Sequence, residues 1–378
     1  MDALLAVNTG SSSLKFALYE VQGTRLGAVL RKENQQNLKP GLEPGSAFEP
    51  SLNQLAQALQ QIPGLRLRAV AHRVVHGGPD FTYATRVDET VLQRLEALNS
   101  LAPLHQPHNL AGIRAFQRIF PQVPQVACFD TAFHASLPEL ETRFALPEAL
   151  VQQGIRRYGF HGLSYAYLMQ RLQSLSTQAQ GKVLMAHLGS GASLCAAYQG
   201  RSQATTMGFS ALDGLMMGTR SGALDPGVLL YLLQQGWNWQ QLQTLLYQRS
   251  GLLGVSGLSA DMRVLRAADA PQAQLAISLF THRVIRECGA LSACLQGLEV
   301  LVFTGGIGEH DPLLRHDVCQ ALGYLGVQLD QKRNAHTAPG QALPLHAEGS
   351  RVEIWVIPTD EGRYAAEQAL SLFGQTAL

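Results

Sequence analysis

Lysine is scarce in this chain: there are five in 378 residues (Lys15, Lys32, Lys39, Lys182 and Lys332), so a lysine inside a motif draws notice. An excess of charge of either sign is missing as well. Lys and Arg number 29 against 28 Asp and Glu, a net charge of +1, and charged residues make up only 15% of the chain. That balance offers no basic stripe for nucleic acid or an anionic membrane surface. With 46% hydrophobic residues, the composition is also far from that of a disordered, self-repelling chain. Cysteine pairs at metal or redox spacing are absent, since Cys128, Cys195, Cys288, Cys294 and Cys319 include no Cys-x-x-Cys. Odd in number and mostly set in apolar runs, they read as small core residues of a reducing compartment. No run approaches the roughly 20 apolar residues of a membrane span. Residues 1–7 lack a basic segment and their apolar run stops at Asn8, so no secretory signal is expected. A soluble, cytoplasmic protein is expected, and this length favours two domains.

Strands and helices mix throughout, which indicates an α/β class. Residues 4–7, 14–19 and 25–30 read as strands, 32–50 as a polar surface loop, 69–75 as a strand and 91–98 and 110–120 as helices. A buried strand follows at 123–129, and 138–147 looks like a domain junction. Residues 183–188 and 194–198 then repeat the opening plan. Val7-Asn8-Thr9-Gly10-Ser11 and Ala186-His187-Leu188-Gly189-Ser190 both run from a strand through small residues into a second strand ending in Tyr, which points to two related halves. Residues 271–295 form the best helix, with an apolar stripe of Ala276, Phe280, Val284, Cys288, Leu291 and Leu295 that needs a core or a partner. Strands at 300–304 and 352–357 and a terminal helix at 361–372 complete the reading.

Three glycine-rich turns follow strands directly: Gly10–Ser13, Gly189–Ser193 and Gly305–Gly308. Small residues there let backbone N–H groups approach phosphate oxygens. None fits a P-loop or a dinucleotide fingerprint, yet three together, one followed by the rare Lys15, favour nucleotide phosphates. Arg73 before Gly77-Gly78, Arg220 in Gly218-Thr219-Arg220-Ser221-Gly222, and Arg263 in Asp261-Met262-Arg263 suit planar oxyanions. The histidines lack thiol or carboxylate partners at zinc spacing; His161 reads as a hydrogen-bond donor. Asp130 and Glu361 follow strands, where α/β sites gather, and a carboxylate near phosphates is a natural Mg2+ ligand.

Together these motifs resemble the acetate kinase family (acetate and propionate kinases) within the acetate and sugar kinase/Hsp70/actin superfamily. The matching residues are Asn8-Thr9-Gly10-Ser11-Ser12-Ser13-Leu14-Lys15, His72–Gly78, Ala102-Pro103-Leu104-His105, Phe129–His134, Arg157–Gly162, His187–Gly191, Gly214–Gly222, Asp261–Arg263, Thr304–Glu309 and Thr359–Glu361. The resemblance implies two domains of duplicated βββαβαβα, ribonuclease H-like and actin-like ATPase topology, with an active-site cleft between them. It implies an N-terminal domain over 1–150, joined by a C-terminal helix at 361–378, and a C-terminal domain over 151–360 that carries the nucleotide site and the interface of a homodimer.

The activity implied is reversible, direct transfer of the ATP γ-phosphoryl group to a short carboxylate, giving an acyl phosphate and ADP. By resemblance Asn8 and Glu361 bind Mg2+, with Mn2+ as an alternative, and Lys15 meets an ATP phosphate. Arg73 holds the substrate carboxylate, while Val75, Leu104 and Phe160 meet its methyl group. Asp130, His161 and Arg220 form the catalytic group. His187, Leu188, Gly189, Ser190, Gly191, Asp261, Met262, Arg263, Gly306, Ile307, Gly308, Glu309 and His310 line the nucleotide site. Four positions depart from the family pattern: Ser190 for Asn, His310 for Asn, Ala211 for Pro and Gly362 for Glu. The first two bear on nucleotide preference and the third on acyl-chain length. Acetate is expected first, with propionate tolerated.

Overall fold

Three strands succeed one another at the N-terminus, β1 (Asp2–Thr9), β2 (Leu14–Gln22) and β3 (Arg25–Gln35). Three more follow: β4 (Arg66–Val74), β5 (Thr85–Arg86) and β6 (Gln125–Phe129). In this computed structural model, which describes residues 1–10, 13–35, 49–338 and 340–374, they form one sheet in the order β3-β2-β1-β4-β6-β5. β2 is antiparallel to β1 and β3, β1, β4 and β6 run parallel, and β5 closes the edge antiparallel to β6.

The inner strands are apolar on both faces because helices cover both. Leu4, Ala6, Ala69 and Ala71 pack against Ala365, Ala366 and Ala369 of the helix Glu361–Gly374. From the other face Leu5, Val7 and Val70 meet Leu52, Leu55 and Leu59 of the helix Glu49–Gln60 and Phe116 of the helix Gln106–Ile119. These strands therefore read as continuous apolar runs, without alternation.

A second sheet contains β7 (Lys182–Leu188), β8 (Ala192–Tyr198), β9 (Arg201–Thr205), β10 (Val300–Thr304), β11 (Leu343–Pro344) and β12 (Glu353–Val356). Its order, β11-β12-β10-β7-β8-β9, is that of the first sheet read from the other end, and every strand pair keeps its sense. The repeat expected from two glycine turns is thus a repeat of topology. Even the ladder agrees: Asn8 pairs with Lys15 and His187 with Ser193, each one step before the last pair of its hairpin.

The chain forms two compact units. One comprises residues 1–135, 162–167 and the C-terminal stretch from Asp360; the other comprises 136–161 and 168–359. In the second, the helix Pro271–Cys294 buries its whole stripe, from Ala276 to Leu291, with Leu295 as the buried cap residue. It packs on β8 and on the helices Gly251–Ser256 and Met262–Ala267, so the stripe is core and not a partner surface. Among the described residues no helix is long and apolar enough to cross a membrane.

Two readings need correction. The stretch 32–50 is not one loop: residues 32–35 continue β3, and Glu49 opens the helix Glu49–Gln60, while residues 36–48 lie outside the described residues. Polar side chains extend β3 because it is an edge strand with mostly exposed positions, where hydropathy carries little signal. The third glycine segment is not a plain turn either. Gly305, at φ 79°, starts the short helix Gly305–His310. A Cβ there would come 2.7 Å from the Leu188 carbonyl oxygen, so both the close approach and the left-handed backbone require glycine.

Candidate active site

In the first unit the carboxyl ends of β1, β4 and β6 lie side by side and bring Asn8, Arg73 and Asp130 to one edge of the sheet. Arg73, on β4, donates from Nε to Asp130 Oδ1 and Oδ2 at 3.2 and 3.0 Å and from Nη2 to Oδ2 at 2.5 Å. Asp130 is buried just past the end of β6, its N–H bound to the Val74 carbonyl. Glu361, first residue of the terminal helix, places Oε2 3.8 Å from Arg73 Nε. Burial alone would pull the Arg73 ionisation down, but Asp130 and then Glu361 more than offset it and hold the guanidinium above the ordinary arginine value. Gly162 donates to the Asp130 carbonyl at 2.8 Å, and a Cβ on Gly162 would sit 2.2 Å from that oxygen. Asn8 is half-buried and faces Lys15, which is exposed, across the β1–β2 ladder. Val75 is buried and Leu104 half-buried.

The segment after β4 is bolted down by buried amides that sequence reasoning passed over. Asn109 Oδ1 accepts the Val75 N–H at 3.0 Å, and Gln106 binds both the N–H and the carbonyl of His76. Thr131 Oγ1 accepts the Gly77 N–H. Gln106 and Asn109 both belong to the helix Gln106–Ile119 and are buried. Hydropathy reads such residues as solvent-facing, so no pattern in the sequence marks them.

In the second unit His161, Phe160, His187 and Arg220 gather at β7 and β8. His161 has a left-handed backbone (φ 58°) and caps the helix Gly162–Gln173. Its Nδ1 lies 2.9 Å from Ser193 Oγ, and its ring stacks on His187 with centroids 4.2 Å apart. Gly191 faces both the Arg220 guanidinium and the His161 ring: a Cβ there would be 3.0 Å from Arg220 Nη2 and 3.3 Å from His161 Nε2. Arg220 Nη1 donates to the Ala211 carbonyl at 2.6 Å, a bond that does not depend on the Ala211 side chain. The loop carrying Arg220 is held by main-chain bonds, Gly218 N–H to Ser190 O, Leu252 N–H to Met217 O and Ser250 N–H to Thr219 O. Phe160 is buried.

The glycine segments of this unit meet: a Cβ on Gly189 would lie 3.7 Å from the Gly306 nitrogen, whereas one on Gly306 would meet nothing within 4 Å. Leu188 is buried, and Ser190, Gly306 and His310 are exposed. Ile307 is half-buried and Gly308 buried. Glu309 turns back, its Oε1 accepting from the Gly305 N–H at 2.9 Å and from Thr304 Oγ1 at 3.3 Å. Asp261 caps the helix Met262–Ala267 and pairs with the exposed Arg263, whose guanidinium holds the carboxyl near 2; Met262 is buried. A fully buried arginine, Arg315, donates to the carbonyls of Gly308 and Glu309 and to Asn334, and burial pulls its ionisation down to about 10. Among the described residues no cluster of three or more His, Cys, Asp or Glu could hold a metal ion.

A doubled α/β plan with glycine-rich segments at strand ends and an arginine-centred cluster in each half places the protein among the duplicated α/β phosphotransferases. The Acetokinase family model matches residues 3–367. An acetate kinase of Rhodopseudomonas palustris is 49% identical over 95% of this chain and 96% of its own, and one of Pseudomonas aeruginosa is 44% identical over 98% of each. Among solved structures, an acetate kinase of Porphyromonas gingivalis aligns with a TM-score of 0.88 at 33% identity, over 99% of this chain and all of its own. A propionate kinase of Francisella tularensis aligns at 0.86 and 34%, over 97% and 99%. The chain belongs to the Acetokinase family and is a kinase enzyme.

Proposed function

We propose that this kinase transfers the γ-phosphoryl group of ATP to acetate, reversibly and with Mg2+, giving acetyl phosphate and ADP by direct in-line displacement. The observation that carries the reading is the approach of Arg220 and His161 to the same glycine, Gly191. A loose phosphoryl transition state spreads charge over its equatorial oxygens, so positioned cations and donors do most of the catalysis. Arg220 Nη2 and His161 Nε2 are such groups, with Ser193 and His187 holding the imidazole.

In the first unit Arg73 would receive the substrate carboxylate through the Nη1 edge that Asp130 does not engage. Acetate is already an anion at neutral pH, given a carboxyl pKa of about 4, so no base need remove a proton. Asp130, committed to Arg73, then acts by positioning. One carboxylate oxygen bonds to the γ-phosphorus as the bond to the bridging oxygen breaks, and ADP leaves with that electron pair. Val75, Leu104 and Phe160 would border the methyl group. Lys15 would contact an ATP phosphate, and Asp261, Met262, Arg263 and residues 187–191 and 306–310 would surround the nucleotide.

Asn8 and Glu361 offer only oxygen donors, which suits a hard divalent ion such as Mg2+ or Mn2+. Arg73 approaches Glu361 only to 3.8 Å, outside hydrogen-bond reach, so the carboxylate keeps its lone pairs. When bound, the ion would neutralise phosphate charge.

The helix Pro226–Gln234 buries none of its residues, and Leu230, Tyr231, Leu233 and nearby Trp239 are exposed. Exposed apolar side chains of this kind suit an interaction surface, and we assign it to a second copy of the chain. The five free thiols, four of them buried, suit a reducing cytoplasm.

Acyl-hydroxamate formation with Mg-ATP across formate, acetate, propionate and butyrate tests the activity. The expected maximum is at acetate. A maximum at propionate would assign Ala211 a longer pocket, and absence of product with every acid would remove the proposed reaction.

A further inference from the structure

We propose that Asn109 is a positioning residue that ties the acyl pocket to the nucleotide-side turn, so that one buried amide sets the geometry of both. The inference rests on the proposed reaction. Its geometry has no ambiguity of amide orientation. Oδ1 accepts from the backbone N–H of Val75 at 3.0 Å, and Nδ2 donates to the backbone carbonyl of Thr9 at 2.6 Å. An N–H can only donate and a carbonyl can only accept, so the amide has one allowed orientation. Asn109 is 3% exposed, and so both bonds form away from water.

The two backbone groups lie at places of different function. Val75 opens the segment Val75–Gly78 beside the Arg73–Asp130 pair. Thr9 ends β1, next to Asn8 and Gly10, whose N–H closes the turn by binding the Ser13 carbonyl at 2.8 Å. The helix that carries Asn109 is held close to this turn: a Cβ on Gly112 would stand 2.5 Å from Thr9 Oγ1. One turn earlier Gln106 brackets His76 through both its N–H and its carbonyl. The helix Gln106–Ile119 therefore serves as a rigid bracket, and Asn109 bonds to both segments. A shift of a few tenths of an ångström in either bond would move Val75 against the acyl chain or Thr9 and its neighbours Asn8 and Gly10 against the phosphates. Losses of about 10²-fold from misplacements of about 1 Å are typical of such remote positioning.

Two substitutions separate the bonds. Asn109→Asp keeps an oxygen for the Val75 N–H and, while ionised, has no donor for Thr9; Asn109→Ala removes both. Thermal unfolding, kcat and KM for acetate and propionate, and the equilibrium dissociation constant of Mg-ADP are measured on folded wild type and variants. Asn109→Asp is expected to weaken Mg-ADP binding at least tenfold and to leave the propionate-to-acetate ratio of kcat/KM within twofold. Asn109→Ala is expected to weaken Mg-ADP similarly, raise KM for acetate at least tenfold and shift that ratio at least fivefold. Folded variants with a lowered melting temperature but unchanged ratio, KM and Mg-ADP affinity would reduce Asn109 to a structural role and overturn the proposal. So would an Asn109→Asp variant that shifts acyl selectivity while binding Mg-ADP normally. Where Asn109→Ala does not fold, the two readouts of Asn109→Asp decide alone. A wild type inactive on every acid removes the proposed reaction and this inference with it, whereas an active wild type with unmoved variants removes only the inference.

Discussion

Arg73 and Asp130 form an asymmetric pair: the carboxylate is 1% exposed and receives both Nε and Nη2, while the guanidinium remains 23% exposed. The aspartate is buried where it orients the arginine, and the arginine's Nη1 edge is the one proposed to receive the substrate carboxylate. Removing one member of a buried pair leaves the other charge uncompensated, a loss of about 3–5 kcal/mol in typical cases. Arg73→Ala should therefore lose both acetate turnover and thermal stability. Adding Asp130→Asn to Arg73→Ala should recover much of the stability and none of the activity. Thermal unfolding and hydroxamate kinetics on the three proteins check this, and equal stability of the single and double variants would contradict the assigned role of Asp130.

Arg220 is fixed by its Nη1 bond to the Ala211 carbonyl and presents Nη2 beside Gly191. Replacing it with alanine should lower kcat by about 10³-fold or more, the scale of a transition-state arginine, with the melting temperature little changed. Near-normal turnover in the folded variant would remove Arg220 from catalysis.

Gly191→Ala tests the same convergence from the other side. The added methyl must displace the end of the Arg220 side chain, which is flexible, so the fold should tolerate it. Turnover should fall by about 10–100-fold, since misplacement on this scale is costly to catalysis. Steady-state kinetics beside a thermal melt read both effects.

Stability should decline in mild acid. Burial pushes His72 and His76 down to about 4 from an ordinary 6.5. The unfolded chain therefore binds more protons than the folded one between these values. The stabilisation is fully present above about 6.5 and disappears as pH falls towards 4, at up to about 3 kcal/mol for each ring. Chemical unfolding at pH 7 and pH 5 should show lower stability at pH 5, and His72→Gln should weaken that dependence.

The apolar surface of the helix Pro226–Gln234 gives a simpler test. Leu230 and Tyr231 are 61% and 59% exposed, and replacing both with lysine should leave the fold intact and dissociate the proposed dimer. Sedimentation at micromolar concentration would show it; a wild type that is monomeric throughout would refute the assignment.

Much of the fold is legible along the chain. The apolar runs of β1 and β6 are continuous because helices cover both faces, and the stripe of the helix Pro271–Cys294 repeats at helical spacing because one face is core. Edge elements are not legible in this way. The outer part of β3 is polar, and the helix Pro226–Gln234, apolar on all sides, has no stripe to detect. The candidate site divides similarly. Asp130 and Glu361 follow strands, and Arg73 and Arg220 stand among glycines, all visible as local patterns. Gln106 and Asn109 are not visible, because each is a buried polar residue bonded to backbone groups distant in the sequence.

The sequence by itself determined the class, the doubled strand plan and the identity of the charged residues, because these depend on local composition, turn chemistry and spacing. Only the tertiary structure decided which polar groups are buried against which, that Asp130 is committed to Arg73, that Arg220 and His161 approach the same glycine, and that Asn109 joins two segments. These relationships arise from hydrogen-bond satisfaction away from water, which depends on three-dimensional contacts that no spacing along the chain encodes.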